Sequence, residues 1–392
     1  MRHILMLLTI ILSALTACTK DEDFRVSKLP DSEKAIVPTT ITVLQQHTKG
    51  RGIPVVIMGD GYTQADITNG TYRSVTTAAM EALFCEAPMS KLRDYVDVYE
   101  ATAASAVRGI TKESQNTVFQ SYIPNDGSTN IYCNDSIALE YALYALYEKE
   151  DKSTLVSRSH DMLAIVILNS DVYAGVTKID FVPTTSDIPS GLSISYIPER
   201  AKDRVTQIHS NGTKTYVTKS ALNTLVQHEV IGHGLAKLGD EYSYIENGQA
   251  SASVVENYEK FASYGGLKNI SRNKSVNMSP WATMAADERY ADEGLRCIEG
   301  AYTYTTGFYR PTMRSIMNSE TSGFNAPSRY AIYQRVMRIA NGEKWQPNYE
   351  EFVAFDLSGT QTASAAKGTR GAYYYEQADS LPHLAPPRLL EY

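Results

Sequence analysis

Two histidines five residues apart, His228 and His233, place the tightest condition on how this chain folds. Glu229 sits beside the first and Gly232 beside the second. On a regular α-helix, side chains at i and i+4 lie about 40° apart around the axis, and those at i and i+5 about 140° apart. The two imidazoles share a face only where the helix takes in one extra residue. Such π-type bulges concentrate at functional sites. The spacing predicts a one-residue bulge between Glu229 and His233, with Gly232 relaxing the backbone. Two of the seven histidines in the chain fall in this window, and Asp240 and Glu241 follow just downstream. Two imidazoles and a carboxylate converging on one point form the donor set of a zinc ion.

A catalytic zinc needs a third protein ligand and one open position. Asp240 is the first choice and Glu241 the reserve. Whichever is not the ligand is placed to hold a histidine ring. His160, His209 and His383 are weaker candidates, without acidic neighbours of this kind. Glu229 is the expected general base, taking a proton from a metal-activated water and passing it to the leaving amine. The stretch Tyr302 to Arg310 offers tyrosines and an arginine for oxyanion stabilisation. With 27 tyrosines in the chain, any single one is structural by default.

The N-terminus carries an export signal. Arg2 and His3 precede an apolar run, Ile4 to Leu15, which is too short to span a bilayer and reads as a signal-peptide core. It ends in Leu15-Thr16-Ala17-Cys18, which resembles a bacterial lipobox, with Cys18 becoming the lipidated first residue. Asp21, Glu22 and Asp23 follow at once, a pattern similar to surface-export signals of Bacteroidetes lipoproteins. Cys85, Cys133 and Cys297 show no CxxC spacing, which argues against a cysteine zinc site and leaves their pairing open. A net charge of −7 without a basic run excludes a nucleic-acid partner on electrostatic grounds.

Along the chain, residues 18–38 read as a polar tether. An edge strand is expected over 39–48, and a buried strand over 53–58. The latter runs through Gly59-Asp60-Gly61 into a helix ending near Phe84, the start of an α/β layer. Further strands are expected over 96–99, 162–168, 192–197 (at a sheet edge), 302–309 and 352–355. Helices are expected over 136–147, 217–238 and 326–339, with loop over 246–280.

His228-Glu229, Gly232-His233-Gly234 and Leu238-Gly239-Asp240-Glu241-Tyr242 together resemble the M64 (IgA peptidase-like) metallopeptidase family in its Bacteroidetes form. Gly59-Asp60-Gly61-Tyr62-Thr63, Asp94-Tyr95 with Val98-Tyr99, Trp281, Glu299-Gly300, Tyr309 to Thr312, Ser315-Ile316-Met317 and Phe324 to Arg329 extend the likeness over roughly 50–345. The resemblance implies a zincin-like, metzincin-type α/β domain with a mixed sheet. Met317 would lie in a Met-turn under the metal. The histidine spacing is one residue longer than in many relatives.

The expected organisation is a signal peptide over 1–17, a lipid-anchored tether over 18–38, a peptidase domain over 39–345 and a C-terminal extension over 346–392 packing on it. The expected function is that of a monomeric, surface-exposed outer-membrane zinc endopeptidase acting on proteins or peptides, touching the membrane through its lipid alone. Two rivals share the residues: an inactive surface-binding lipoprotein on a peptidase scaffold, and an exopeptidase or amidase of cell-wall peptides.

Overall fold

The computed structural model describes residues 38–358, 374–377 and 384–390, apart from 114–115, 125–127, 151–154, 185, 209–212 and 320–322. The signal peptide, Cys18, the tether up to residue 37, His209 and His383 lie outside the described residues.

Strand β2 (Ile53–Asp60) is an unbroken buried run and forms the middle of a mixed sheet. Its order is β1 (Thr40–Gln45), β3 (Val96–Thr102), β2, β4 (Leu163–Leu168), β6 (Ser193–Pro198), β5 (Val176–Ile179), β9 (Arg388–Leu389). β3, β2, β4 and β6 pair in parallel. β1 runs antiparallel to β3, and β5 antiparallel to β6.

Alternation along the strands feeds two apolar layers, because successive side chains point to opposite faces. Ile53, Val55, Ile57, Leu163, Ile165 and Ile167 join one cluster, and Val56, Met58, Ala164 and Val166 the other. The first layer is covered by α1 (Thr71–Leu83), by the helix carrying the histidines, and by α4 (Ala326–Asn341). The second is covered by α2 (Asp135–Lys149), capped by the Asn134 side chain, which accepts from the Ile137 N–H. Both faces of a mostly parallel sheet are thus buried, which is why β2 and β4 read as continuous apolar runs.

Asp60 explains the irregular stretch after β3. Its buried carboxylate accepts from the N–H groups of Gly61, Phe119 and Ser121 and from the hydroxyls of Ser105 and Thr117. Gly61 has φ 76°, and a Cβ there would lie 2.9 Å from the Gly109 backbone. The Gly-Asp-Gly turn therefore pins a long loop against the sheet.

Four sequence expectations are corrected. Strand β6 lies between β4 and β5 rather than at an edge. Lys214–Ser220 forms strand β8, paired with β7 (Lys202–Ile208), so helix starts only at Leu222. The stretch read as loop holds α3 (Ala252–Ser263), started by the Ser251 side chain accepting from Val254 N–H. The short strand at Phe352 to Phe355 is instead helix α5 (Tyr349–Leu357). Asn348 caps it by accepting from the N–H groups of Glu350 and Glu351, and those two acids favour its positive end. Among the described residues, no helix is long and apolar enough to cross a membrane.

Candidate metal centre

The helix carrying the histidines opens with one α turn, Leu222–Leu225, and continues as a π-helix over Val226–Leu235. The Ser220 hydroxyl accepts from the Leu222 N–H at its start. At its end the Ala236 N–H bonds the Ile231 carbonyl at 3.1 Å, an i to i−5 link. The widening expected at one residue extends over the whole stretch. With i to i+5 winding, His228 and His233 come onto one face, ring centroids 4.8 Å apart and nearly perpendicular.

Gly232 serves a purpose other than backbone freedom. A Cβ there would lie 2.4 Å from Met317 Sδ, and one on Gly234 would lie 2.7 Å from Ser193 Oγ on β6. Both glycines let the helix seat against its neighbours. The turn back after the helix is made at Lys237, with φ 53°, rather than at a glycine. Its buried ammonium donates to the carbonyls of Gly234 and Leu192, and burial pushes its pKa well below 10.5.

Three ligand-type atoms converge as a result. His228 Nε2 and His233 Nε2 are 3.1 Å apart, and Asp240 Oδ1 is 3.2 Å from each. Tetrahedral zinc with bonds of about 2.0–2.1 Å would set its ligand atoms roughly 3.3 Å apart, close to these spacings. The tautomers strengthen the fit. His228 Nδ1 lies 2.9 Å from the Ile316 carbonyl and His233 Nδ1 2.8 Å from the Leu238 carbonyl. A carbonyl only accepts, so each Nδ1 carries the hydrogen and each neutral Nε2 presents a lone pair. Two lone pairs and a carboxylate oxygen, all buried, repel one another unless a proton or a cation lies between them.

Glu241 is turned away from the histidines. Ser315 Oγ donates to its Oε2 at 2.6 Å, Asn269 Nδ2 to its Oε1 at 2.9 Å, and Asn325 Nδ2 to both at 3.0 Å. The Glu241 N–H donates to the Met317 carbonyl. Glu241 therefore straps the Ser315–Met317 segment beneath the helix. His160 lies outside the three-residue group. In the 302–310 stretch, burial pushes the Tyr302 hydroxyl up to about 12, with the Asp240 charge adding to the effect.

Glu229 is fully buried beside the histidines. Its Oε2 accepts from Thr177 Oγ1 at 2.7 Å, while its Oε1 has no hydrogen-bond partner among the described residues. Burial raises its pKa above 4.5, opposed by the Thr177 hydrogen bond. A Cβ on Gly175 would lie 2.9 Å from Oε1, so the glycine before β5 leaves room for that oxygen. Thr177, Asn269 and Asn325 escape a reading of the sequence, since single polar residues far along the chain carry no local signature. Cys85, Cys133 and Cys297 are free thiols.

A family model described as IgA Peptidase M64 matches residues 41–264, more than half of the chain, and spans the histidines, Glu229 and Asp240. Ser315–Met317 lies beyond the match. No curated protein sequence matches the chain.

Proposed function

The chain belongs to the IgA peptidase M64 family, and from that premise we propose that it is a zinc-dependent endopeptidase, exported and held at the outer-membrane surface by a lipid on Cys18. Membership in a family of metallopeptidases makes it a hydrolase of peptide bonds in proteins or peptides.

The observation that carries the metal reading is the convergence of three buried acceptors, His228 Nε2, His233 Nε2 and Asp240 Oδ1, with both tautomers set by backbone carbonyls. These three residues would hold the ion. Zinc supplies Lewis acidity, polarising a carbonyl and making water a nucleophile near neutral pH. Glu229 does the proton work. Its unpartnered Oε1 accepts a proton from the attacking water and returns it to the amine nitrogen as the peptide bond breaks. Burial raises its pKa above the ordinary carboxylate value, the direction that suits a group which both takes and returns a proton. Thr177 holds the other oxygen, so Oε1 keeps one direction.

A zincin-like architecture with a Met-turn at Met317 is part of the same reading. The buried Met317 thioether packs against Gly232 between the two histidine turns, which supports it. Zinc quantification by atomic emission tests the proposal. One equivalent per chain is expected, and protein that stays zinc-free after supplementation overturns it. A peptide-library cleavage profile distinguishes an endopeptidase from an enzyme of cell-wall peptides. Palmitate labelling lost on Cys18→Ala tests the anchor.

A further inference from the structure

His228, Glu229 and His233 expose no surface, and Asp240 only 2% of its own. A peptidase with its ligands sealed in this way must open before a peptide reaches them. The C-terminal segment 384–390 lies against the elements that carry these residues.

Three observations place it there. Leu384 is fully buried in the apolar cluster that also takes Val226, Val230 and Ile231 from the π-helix. Its carbonyl accepts from Tyr242 Oη at 2.6 Å and from Tyr244 Oη at 3.0 Å. Tyr242 follows Asp240 by two residues. The segment then follows β5, the strand whose Thr177 holds Glu229. Arg388 and Leu389 pair in parallel with Lys178 and Ile179, and the Leu390 N–H donates to the Ile179 carbonyl at 3.0 Å. Ala385 and Leu390 pack in the cluster on the other side of the sheet, with Ala174 and Val176.

The attachment is light. The ladder is two residues long, Leu389 is 51% exposed, and Pro386 and Pro387 have no N–H to give. A main-chain carbonyl held by two tyrosine hydroxyls, beside a buried aliphatic side chain, is also what an incoming peptide would offer to the same donors.

We infer that residues 384–390 form an inhibitory strap in cis, seated at the metal centre through Leu384, and that peptide substrates gain access only when it lifts. The inference rests on the peptidase reading above. A closed state favoured about tenfold or more lowers the apparent rate by the same factor.

The test compares the full chain, a chain ending at residue 383, and full-length Leu384→Asp. Zinc content, the rate of zinc removal by excess chelator, and hydrolysis of an internally quenched peptide are measured for each. The strap predicts that both altered forms retain zinc, lose it to chelator about tenfold faster or more, and cleave faster by a similar factor. Zinc in all three forms with equal rates overturns the strap and leaves the peptidase reading intact. Zinc in none overturns both. Where the altered chains fail to melt cooperatively, the wild-type protein decides. A zinc-binding peptide hydroxamate should then speed hydrogen exchange at the Leu390 amide, and binding that leaves this amide protected overturns the strap.

Discussion

The Thr177 hydroxyl lies 2.7 Å from Glu229 Oε2 and 2.9 Å from the Glu229 carbonyl oxygen, so its single hydrogen bridges the carboxylate and the backbone of the same helical residue. Ser195 Oγ, 2.8 Å away, completes its shell. Thr177→Val removes the donor while nearly keeping the shape. The hydrogen bond opposes the upward push of burial, so its loss raises the Glu229 pKa further. As the proposed base Glu229 would work unprotonated, so the acid-side fall of kcat/KM should move to higher pH. At neutral pH the loss should be roughly ten- to hundredfold, in line with about 1.5–3 kcal/mol for a charge-assisted hydrogen bond. A pH–rate profile of both proteins checks it, and an unmoved acid limb would refute the positioning role.

Glu229→Gln should keep the fold and the zinc, because Glu229 is not one of the three converging residues. Hydrolysis should drop by about 10²–10⁴-fold, the usual worth of general acid–base catalysis. Progress curves set beside zinc content separate lost chemistry from lost metal.

Zinc should stabilise the folded chain by mass action, by about 2.7 kcal/mol at a free concentration 100 times Kd. Asp240→Ala takes away one of the three converging atoms and should abolish most of that gain. Thermal melts with and without zinc report it. Equal zinc-dependent shifts in both proteins would remove Asp240 from the ligand set.

Gly232→Ala puts a Cβ 2.4 Å from Met317 Sδ and 3.0 Å from its Cε, deep in the core. Overpacking of this kind costs about 1–3 kcal/mol. Met317→Ala in the same chain should give a total smaller than the sum of the two single changes, since the two sites are in contact. Denaturant titrations of the four chains in the cycle measure the coupling.

Away from the centre, Asp66 Oδ2 accepts from both the N–H and the hydroxyl of Thr63, and Arg108 pairs with its other oxygen at 3.0 Å. Burial pushes this carboxyl up, but those partners outweigh it and hold it below 3.8. A depressed carboxyl stabilises the fold above its unfolded value, and the gain is lost as pH falls through the folded one. Asp66→Asn should cost about 1 kcal/mol at pH 7. The gap to wild type should close progressively below pH 3.8. Denaturation at both ends of that range checks it.

Much of this was legible in the residues, for reasons that differ by element. β2 and β4 stand out because buried strands are local in sequence, and Ile53 to Met58 announces itself without its partners. The bringing together of His228 and His233 was legible because their spacing conflicts with α geometry and a wider helix resolves the conflict. Lys214–Ser220 alternates too weakly to be told from helix, and its pairing with β7 decides. At α5, the Asn348 cap and the acids after it outweigh the apolar run Phe352 to Phe355 that reads as strand. Nothing in the identity of Lys237 marks it as the turn residue, since its left-handed conformation is held by carbonyls of Gly234 and Leu192. The M64 likeness, by contrast, is borne out by the family match.

The π-helix also has a consequence for how this stretch tolerates change. Ten consecutive residues share the wide winding, so the alignment of His228 with His233 depends on how many residues separate them more than on which residues they are. Val230 and Ile231 could be exchanged for other apolar residues with the histidine rings still facing each other. Adding a residue between the histidines would swing one ring out of register, whereas deleting one would keep them on one face only with the tighter α winding. The segment behaves like a ruler, forgiving in its lettering and strict in its length.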